Sequence, residues 1–165
     1  MTPHRLAVAL VALLGCAADR ALPRSADSPV LGHALPDFRR LSLDNTFVDT
    51  AKLRGQTVVV KFFAEYCEPC KRTLPAVERL HRARPDVAFI GVSEDDLAST
   101  AASVGALYGL TFPLVHDQAL VLKGRFRVTS LPVTFVVDAQ GVVRWVGGPE
   151  QREEDLVGAI DAVRR

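Results

Sequence analysis

Only three cysteines occur in the 165 residues of this chain. That number is too small for a disulfide framework. A chain of this length also needs none, because a domain of about 150 residues buries roughly 70% of its unfolded surface in one core. A long field of one charge sign is missing as well. The formal net charge is +1, acidic and basic residues are interspersed, and Arg39-Arg40 and Arg164-Arg165 are short, solvated pairs. No nucleic-acid partner is expected from such a surface. There is no internal repeat, and the apolar run Leu6 to Leu14 falls short of the ~20 residues that cross a bilayer.

What the N-terminus does hold is a basic residue within Met1 to Arg5, followed by that short apolar run, the pattern of a signal peptide over residues 1–15. The run ends in Leu13-Leu14-Gly15-Cys16, which resembles the lipobox of bacterial lipoproteins. The resemblance implies cleavage before Cys16, acylation of its thiol and attachment to a membrane through the lipid; cleavage after Ala17 or Ala18 is the alternative. Ala17 to Val30, rich in Ala, Arg, Ser and Pro and without apolar periodicity, reads as a disordered spacer. Residues 16–30 are thus lipid anchor and spacer, and 31–165 form one folded domain.

Within that domain, Phe38 to Leu43 and Thr46 to Val48 flank Asp44-Asn45 as a hairpin. Thr57 to Phe63 is β-branched or aromatic except for Lys61, a strand buried on both faces. Cys70, Leu74, Val77 and Leu80 recur at helical spacing, with Pro75 expected to kink the helix. A strand over Val87 to Val92 and a helix over Leu97 to Tyr108 follow, then an extended piece at Phe112 to Val115 and a helix over Ala119 to Phe126. Val133 to Val137 and Val142 to Val146 make a second hairpin, and Glu153 to Val163 closes the chain as an amphipathic helix. Alternating strands and helices define an α/β domain.

Cys67-Glu68-Pro69-Cys70 lies at the junction of strand and helix. A Cys-x-x-Cys pair serves metal ligation or redox exchange. Zinc would need two more ligands, yet His33, His81 and His116 are scattered. At a helix N-terminus the free backbone N–H groups and the dipole favour a thiolate. Cys67 is therefore expected as the exposed attacking thiolate and Cys70 as the buried resolving thiol. A substrate disulfide attacked by Cys67 becomes a mixed disulfide, which Cys70 resolves.

Val58 to Cys70, with Pro75 downstream, resembles the active-site strand and helix of the thioredoxin superfamily, and more narrowly its TlpA/ResA type. Pro36-Asp37-Phe38, Val92-Ser93-Glu94, Tyr108 to Pro113 and Phe126 to Asp138 carry the likeness along the domain. It implies a thioredoxin-like α/β fold: a central mixed sheet flanked by helices, an N-terminal hairpin and an inserted strand-helix segment. Pro132 lies 62 positions after Cys70, which leaves room for that insert.

The same resemblance implies that Pro132 is a cis-proline facing the cysteine pair and that the backbone at Leu131 binds substrate peptide. Tyr66 stands where Trp is usual and keeps an aromatic wall. Glu68 and Pro69 support the motif, Glu68 either setting local charge or standing as a solvated loop residue. Thr73 replaces an acidic residue of ResA-like proteins. Glu94 matches a family position or caps the next helix, and His116 beside Asp117 reads as a strand-end residue. Lys61 occupies the position of a buried acid or Asn. Its ammonium either lies beneath the pair and favours thiolate, or reaches the surface or a carboxylate.

The activity implied is an extracytoplasmic thiol-disulfide oxidoreductase that reduces protein disulfides, in cytochrome c maturation among other settings. It would use no cofactor, be served by a membrane electron donor and work as a monomer. The motif alone does not set the direction of electron flow, since such pairs span about −270 to −120 mV. A peroxiredoxin-like peroxidase and a thioredoxin-fold copper carrier are the alternatives. Ala64-Glu65-Tyr66 lacks the Pro and Thr or Ser that precede a peroxidatic cysteine.

Overall fold

A computed structural model describes residues 21–164, so the signal peptide, Cys16 and the first part of the spacer lie outside the described residues. The sheet is built around β3, Thr57–Phe63, whose seven residues are all buried. It pairs in parallel with β4, Val87–Ser93, and antiparallel with β6, Val133–Val137. With β5, Leu114–His116, and β7, Val143–Gly147, the order is β5-β4-β3-β6-β7. The mixed sheet and its flanking helices α1 (Glu68–Ala83), α2 (Ala98–Leu107), α3 (Val121–Arg125) and α4 (Glu153–Val163) match the fold implied above. Strands β1, Arg39–Leu41, and β2, Phe47–Asp49, form the expected N-terminal hairpin.

Alternation along β3 sorts the core into two halves. Val59 and Phe63 face α1 and α4, packing with Cys70, Leu74 and Ile160. Val58, Val60 and Phe62 face the other way, toward Phe38 of the hairpin and Leu122 and Phe126 of the α3 region. There Phe62, Phe126 and Phe135 pack edge-on or tilted at 5.2–5.9 Å between ring centroids. Pro75 lies inside α1 without ending it.

Two expected elements shift. The extended piece at 112–115 becomes β5 at Leu114–His116, because Pro113 has no N–H to give a ladder and Phe112 is spent in the core. The helix expected from Ala119 begins only at Val121. The carboxylate of Asp117 accepts the N–H groups of Leu122 and Lys123, each at 2.8 Å, which fixes the helix start. The preceding turn, Gln118–Leu120, carries Ala119 and Leu120 at positive φ.

The expected disordered spacer is corrected for its described part. Residues 21–30 form no strand or helix, yet they are tied to the free edge of β7: Ala26 N–H donates to Val146 O at 2.7 Å, Ser25 Oγ accepts from Val146 N–H at 2.9 Å, and the Trp145 indole donates to Arg24 O at 3.1 Å. Just beyond, Gly32 N–H donates to Val143 O and His33 O accepts from Val143 N–H. The opposite edge is covered too, where Leu43 N–H donates to Leu114 O and Ser42 bridges Val115. Unpaired strand edges invite association with other chains, and both are closed here by backbone contacts.

Candidate active site

The turn that delivers the cysteines is held from the neighbouring strand. After β3, Glu65 N–H donates to the Asp95 carboxylate at 2.9 Å, and Ser93 Oγ donates to the same carboxylate at 2.7 Å. Cys67 N–H then donates to Ala64 O, and Cys67 becomes the N-cap of α1. Pro69 falls in the first helical turn, where its missing N–H would have had no intrahelical partner. Cys70 N–H donates to Cys67 Sγ at 3.2 Å, so a backbone donor already points at the sulfur that would carry charge.

Cys67 and Cys70 form a disulfide with their Cα atoms 5.2 Å apart. Cys70 is fully buried and Cys67 is 6% exposed, so the expectation of an exposed Cys67 is corrected. Only an edge of Cys67 meets solvent, but it is the residue of the pair that solvent reaches. Its neighbours Glu65, Tyr66 and Glu68 are exposed around it.

Antiparallel register brings the second loop alongside. Phe62 pairs with Val133, which sets Leu131-Pro132 beside Phe63-Ala64, the residues leading into the cysteine turn. The Leu131-Pro132 bond is cis. Leu131 is half-buried against the core cluster that contains both cysteines. Tyr66 is 67% exposed, a projecting ring and not a packed wall. Its hydroxyl pKa is raised by partial burial and by the charge of Glu94. Glu68 pairs with Lys71 at 2.9 Å across one helical turn. Thr73 is turned back on the helix, its hydroxyl donating to Cys70 O at 3.2 Å.

Lys61 neither reaches the surface nor meets a carboxylate among the described residues. It is fully buried, and its Nζ donates to Thr134 Oγ1 at 3.1 Å, the residue opposite it on β6. Burial pushes the lysine down to about 7. Alternation places it with Val59 and Phe63, on the sheet face covered by α1.

Glu94 does not cap α2, whose N-cap Leu97 has no side-chain bond. Its carboxylate is buried against Lys123 Nζ at 2.7 Å, and one of its oxygens has no partner among the described residues. Burial raises its pKa against the opposing pull of Lys123. Asp95 and Lys123 were not singled out in the sequence. The available signal for Asp95 was its place just past the carboxyl end of β4, beside the end of β3, where parallel sheets gather functional groups. His116 Nε2–H donates to Asp95 O at 2.7 Å. No group of three or more His, Cys, Asp or Glu side chains arranged for a metal ion occurs among the described residues.

The comparisons with known proteins converge on this geometry. The AhpC/TSA family matches residues 31–146. The thioredoxin-like protein YneN of Bacillus subtilis is 29% identical over 134 residues, covering 79% of this chain and 78% of its own. The thiol-disulfide oxidoreductase ResA of Halalkalibacterium halodurans is 28% identical over 148 residues, 87% of this chain and 81% of the relative. Among solved structures, a secreted Mycobacterium tuberculosis disulfide oxidoreductase homologous to E. coli DsbE superposes with a TM-score of 0.70 at 25% identity, over 76% of this chain and 95% of that one.

Proposed function

The chain belongs to the AhpC/TSA family as a ResA-like redoxin on a thioredoxin fold, and from that premise we propose that it reduces disulfides of protein substrates outside the cytoplasm through Cys67 and Cys70. It is a thiol-disulfide oxidoreductase. The observation that carries the assignment of roles is the asymmetry of the pair. Cys67 caps α1 with a backbone N–H on its sulfur and an edge in solvent, while Cys70 is sealed one turn behind it. Cys67 thiolate attacks a substrate disulfide and releases one substrate thiolate; Cys70 then displaces the second and closes the Cys67-Cys70 bond. Leu131 at the rim offers backbone to an extended substrate segment, with Pro132 and Tyr66 beside it.

The reducing direction is supported by the local charge. Glu65, two residues before Cys67, is exposed and opposes the thiolate that the helix end favours, while Glu68 is paired with Lys71. A thiolate held weakly leaves the disulfide hard to reduce and the dithiol a better reductant. Equilibration of the full chain with glutathione buffers is expected to give a two-electron potential below about −200 mV. A value near −120 mV would make the protein an oxidant and reverse the direction.

Residues 1–15 act as a signal peptide and Cys16 carries the lipid that tethers the domain to a membrane, where a membrane dithiol donor re-reduces the pair; the support is the Leu13-Leu14-Gly15-Cys16 sequence. The domain, 31–165, works as a monomer. Replacing Cys16 by alanine is expected to move the chain from the membrane fraction to the soluble one, and a Cys16→Ala chain that stays with membranes would remove the lipid from the account.

A further inference from the structure

We infer, resting on the dithiol reading above, that Asp95 is a positioning residue for the cysteine pair: by pinning the turn that carries Cys67, it holds Cys67 against Cys70 in the reduced protein and sets how fast and how far the pair closes.

In the oxidised protein the Cys67-Cys70 bond itself fastens Cys67 to α1. Reduction removes that fastening, and the turn from Ala64 to Cys67 must then be held by other contacts. Inside the turn, Cys67 N–H donates to Ala64 O at 3.2 Å. Glu65 and Tyr66 are exposed, so their side chains supply little packing to hold it. The turn is joined to the rest of the fold at its midpoint, where Glu65 N–H donates to Asp95 Oδ1 at 2.9 Å. A backbone N–H held by a carboxylate is bound more strongly than one held by a neutral acceptor.

Asp95 can act as a pin because it is itself fixed from several sides. It is 5% exposed. Its other carboxylate oxygen accepts from Ser93 Oγ at 2.7 Å, and its own N–H donates to Ser93 Oγ at 3.1 Å. Its carbonyl oxygen accepts from His116 Nε2–H at 2.7 Å, which reaches it from the end of β5. The residues just before it are tied to both neighbouring strands. Glu94 N–H donates to Phe63 O at 2.9 Å, and Ser93 O accepts from Asp117 N–H at 2.9 Å. The carboxylate is thus fastened to the sheet from which β3 delivers the cysteine turn.

Closing the pair is an intramolecular reaction, so its rate and its equilibrium both follow the effective concentration of one sulfur at the other. A pinned turn keeps Cys67 beside Cys70 after the bond opens, and little freedom is lost when the bond forms again. A loose turn lets Cys67 drift from the helix end and lowers that concentration. Attack on a substrate disulfide needs Cys67 alone, whereas resolution needs both sulfurs together. Asp95 therefore acts on the second step and on the redox equilibrium, where it favours the closed pair and with it the reducing direction.

The test mixes the reduced full chain with a small aromatic disulfide that liberates one coloured thiolate on attack by Cys67 and a second on resolution by Cys70, and separately equilibrates the pair with glutathione buffers. Asp95→Ala is expected to slow the second phase about tenfold while the first changes less than about threefold. The equilibrium constant for closing the pair is expected to fall by the same factor, which raises the potential of a two-electron couple by about 30 mV. Asp95→Asn, whose amide oxygen still accepts from Glu65 N–H, is expected to restore both quantities to within about threefold of the wild type. Ser93→Ala keeps Asp95 but removes one of its fastenings; it is expected to shift both quantities the same way by about threefold, and it covers the case in which Asp95→Ala folds poorly. Wild-type resolution and potential in Asp95→Ala and Ser93→Ala would overturn the role of Asp95. So would equal slowing of both phases, or an Asp95→Asn chain that behaves like Asp95→Ala; each of these results leaves the dithiol reading standing. A wild-type chain that shows no second phase would overturn the dithiol reading itself.

Discussion

Replacing Cys70 by serine is expected to convert the protein from a turning-over reductant into a trap, with covalent substrate adducts on Cys67 accumulating toward one per chain. Cys67 would still cap α1 and attack, but no sulfur would remain behind it to displace the substrate. Cys67→Ser is expected to yield no adduct and to lose disulfide exchange by on the order of a thousandfold or more, because the solvent-reached nucleophile is gone. Non-reducing gels and intact-mass analysis of the two variants after contact with a protein disulfide separate these outcomes. Equal adducts on both variants would reverse or dissolve the roles assigned to the pair.

The second large effect is on stability. A lysine whose ordinary value is 10.5 and whose folded value is about 7 binds its proton more readily in the unfolded chain between those two values. Stability should therefore rise as pH increases from 7 to about 10.5 and be lowest below 7, where folding must bury the charged form. At about 1.4 kcal/mol per unit, the swing is on the order of 5 kcal/mol. Lys61→Met, of similar length and uncharged, is expected to remove this slope and to be the more stable protein at pH 6. Urea unfolding of the disulfide form, in which neither cysteine of the pair titrates, at pH 6 and pH 9 checks it. A wild-type chain and a Lys61→Met chain with parallel pH dependences would show that Lys61 keeps its proton on burial across this range and that its value is not lowered.

Much of this arrangement was legible in local sequence. The run Thr57 to Phe63 announced a doubly buried strand, Glu153 to Val163 an amphipathic helix, and Cys67 to Cys70 a pair at a helix start, because each is encoded by spacing within a few residues. The family likeness added the cis bond at Leu131-Pro132, which no local propensity specifies. What escaped is tertiary. Lys61 meets Thr134 and Glu94 meets Lys123, partners 73 and 29 positions apart that no periodicity links. The segment 21–30 looked featureless because it is held by backbone bonds to the edge of β7, which leave no trace in hydrophobic pattern. Glu94 read either as a family position or as a helix cap, and its burial became visible only with Lys123 folded over it.

The central claim is that Cys67 and Cys70 together carry two electrons to a disulfide of another protein. Its most direct measurement is a single turnover: reduced full chain mixed with one equivalent of an oxidised protein substrate, quenched with an alkylating reagent, and both partners weighed and mapped. The account predicts that the substrate gains two alkylated thiols while the chain loses two, the loss mapping to a Cys67-Cys70 disulfide. A substrate that remains oxidised while the chain keeps both thiols alkylated would contradict it.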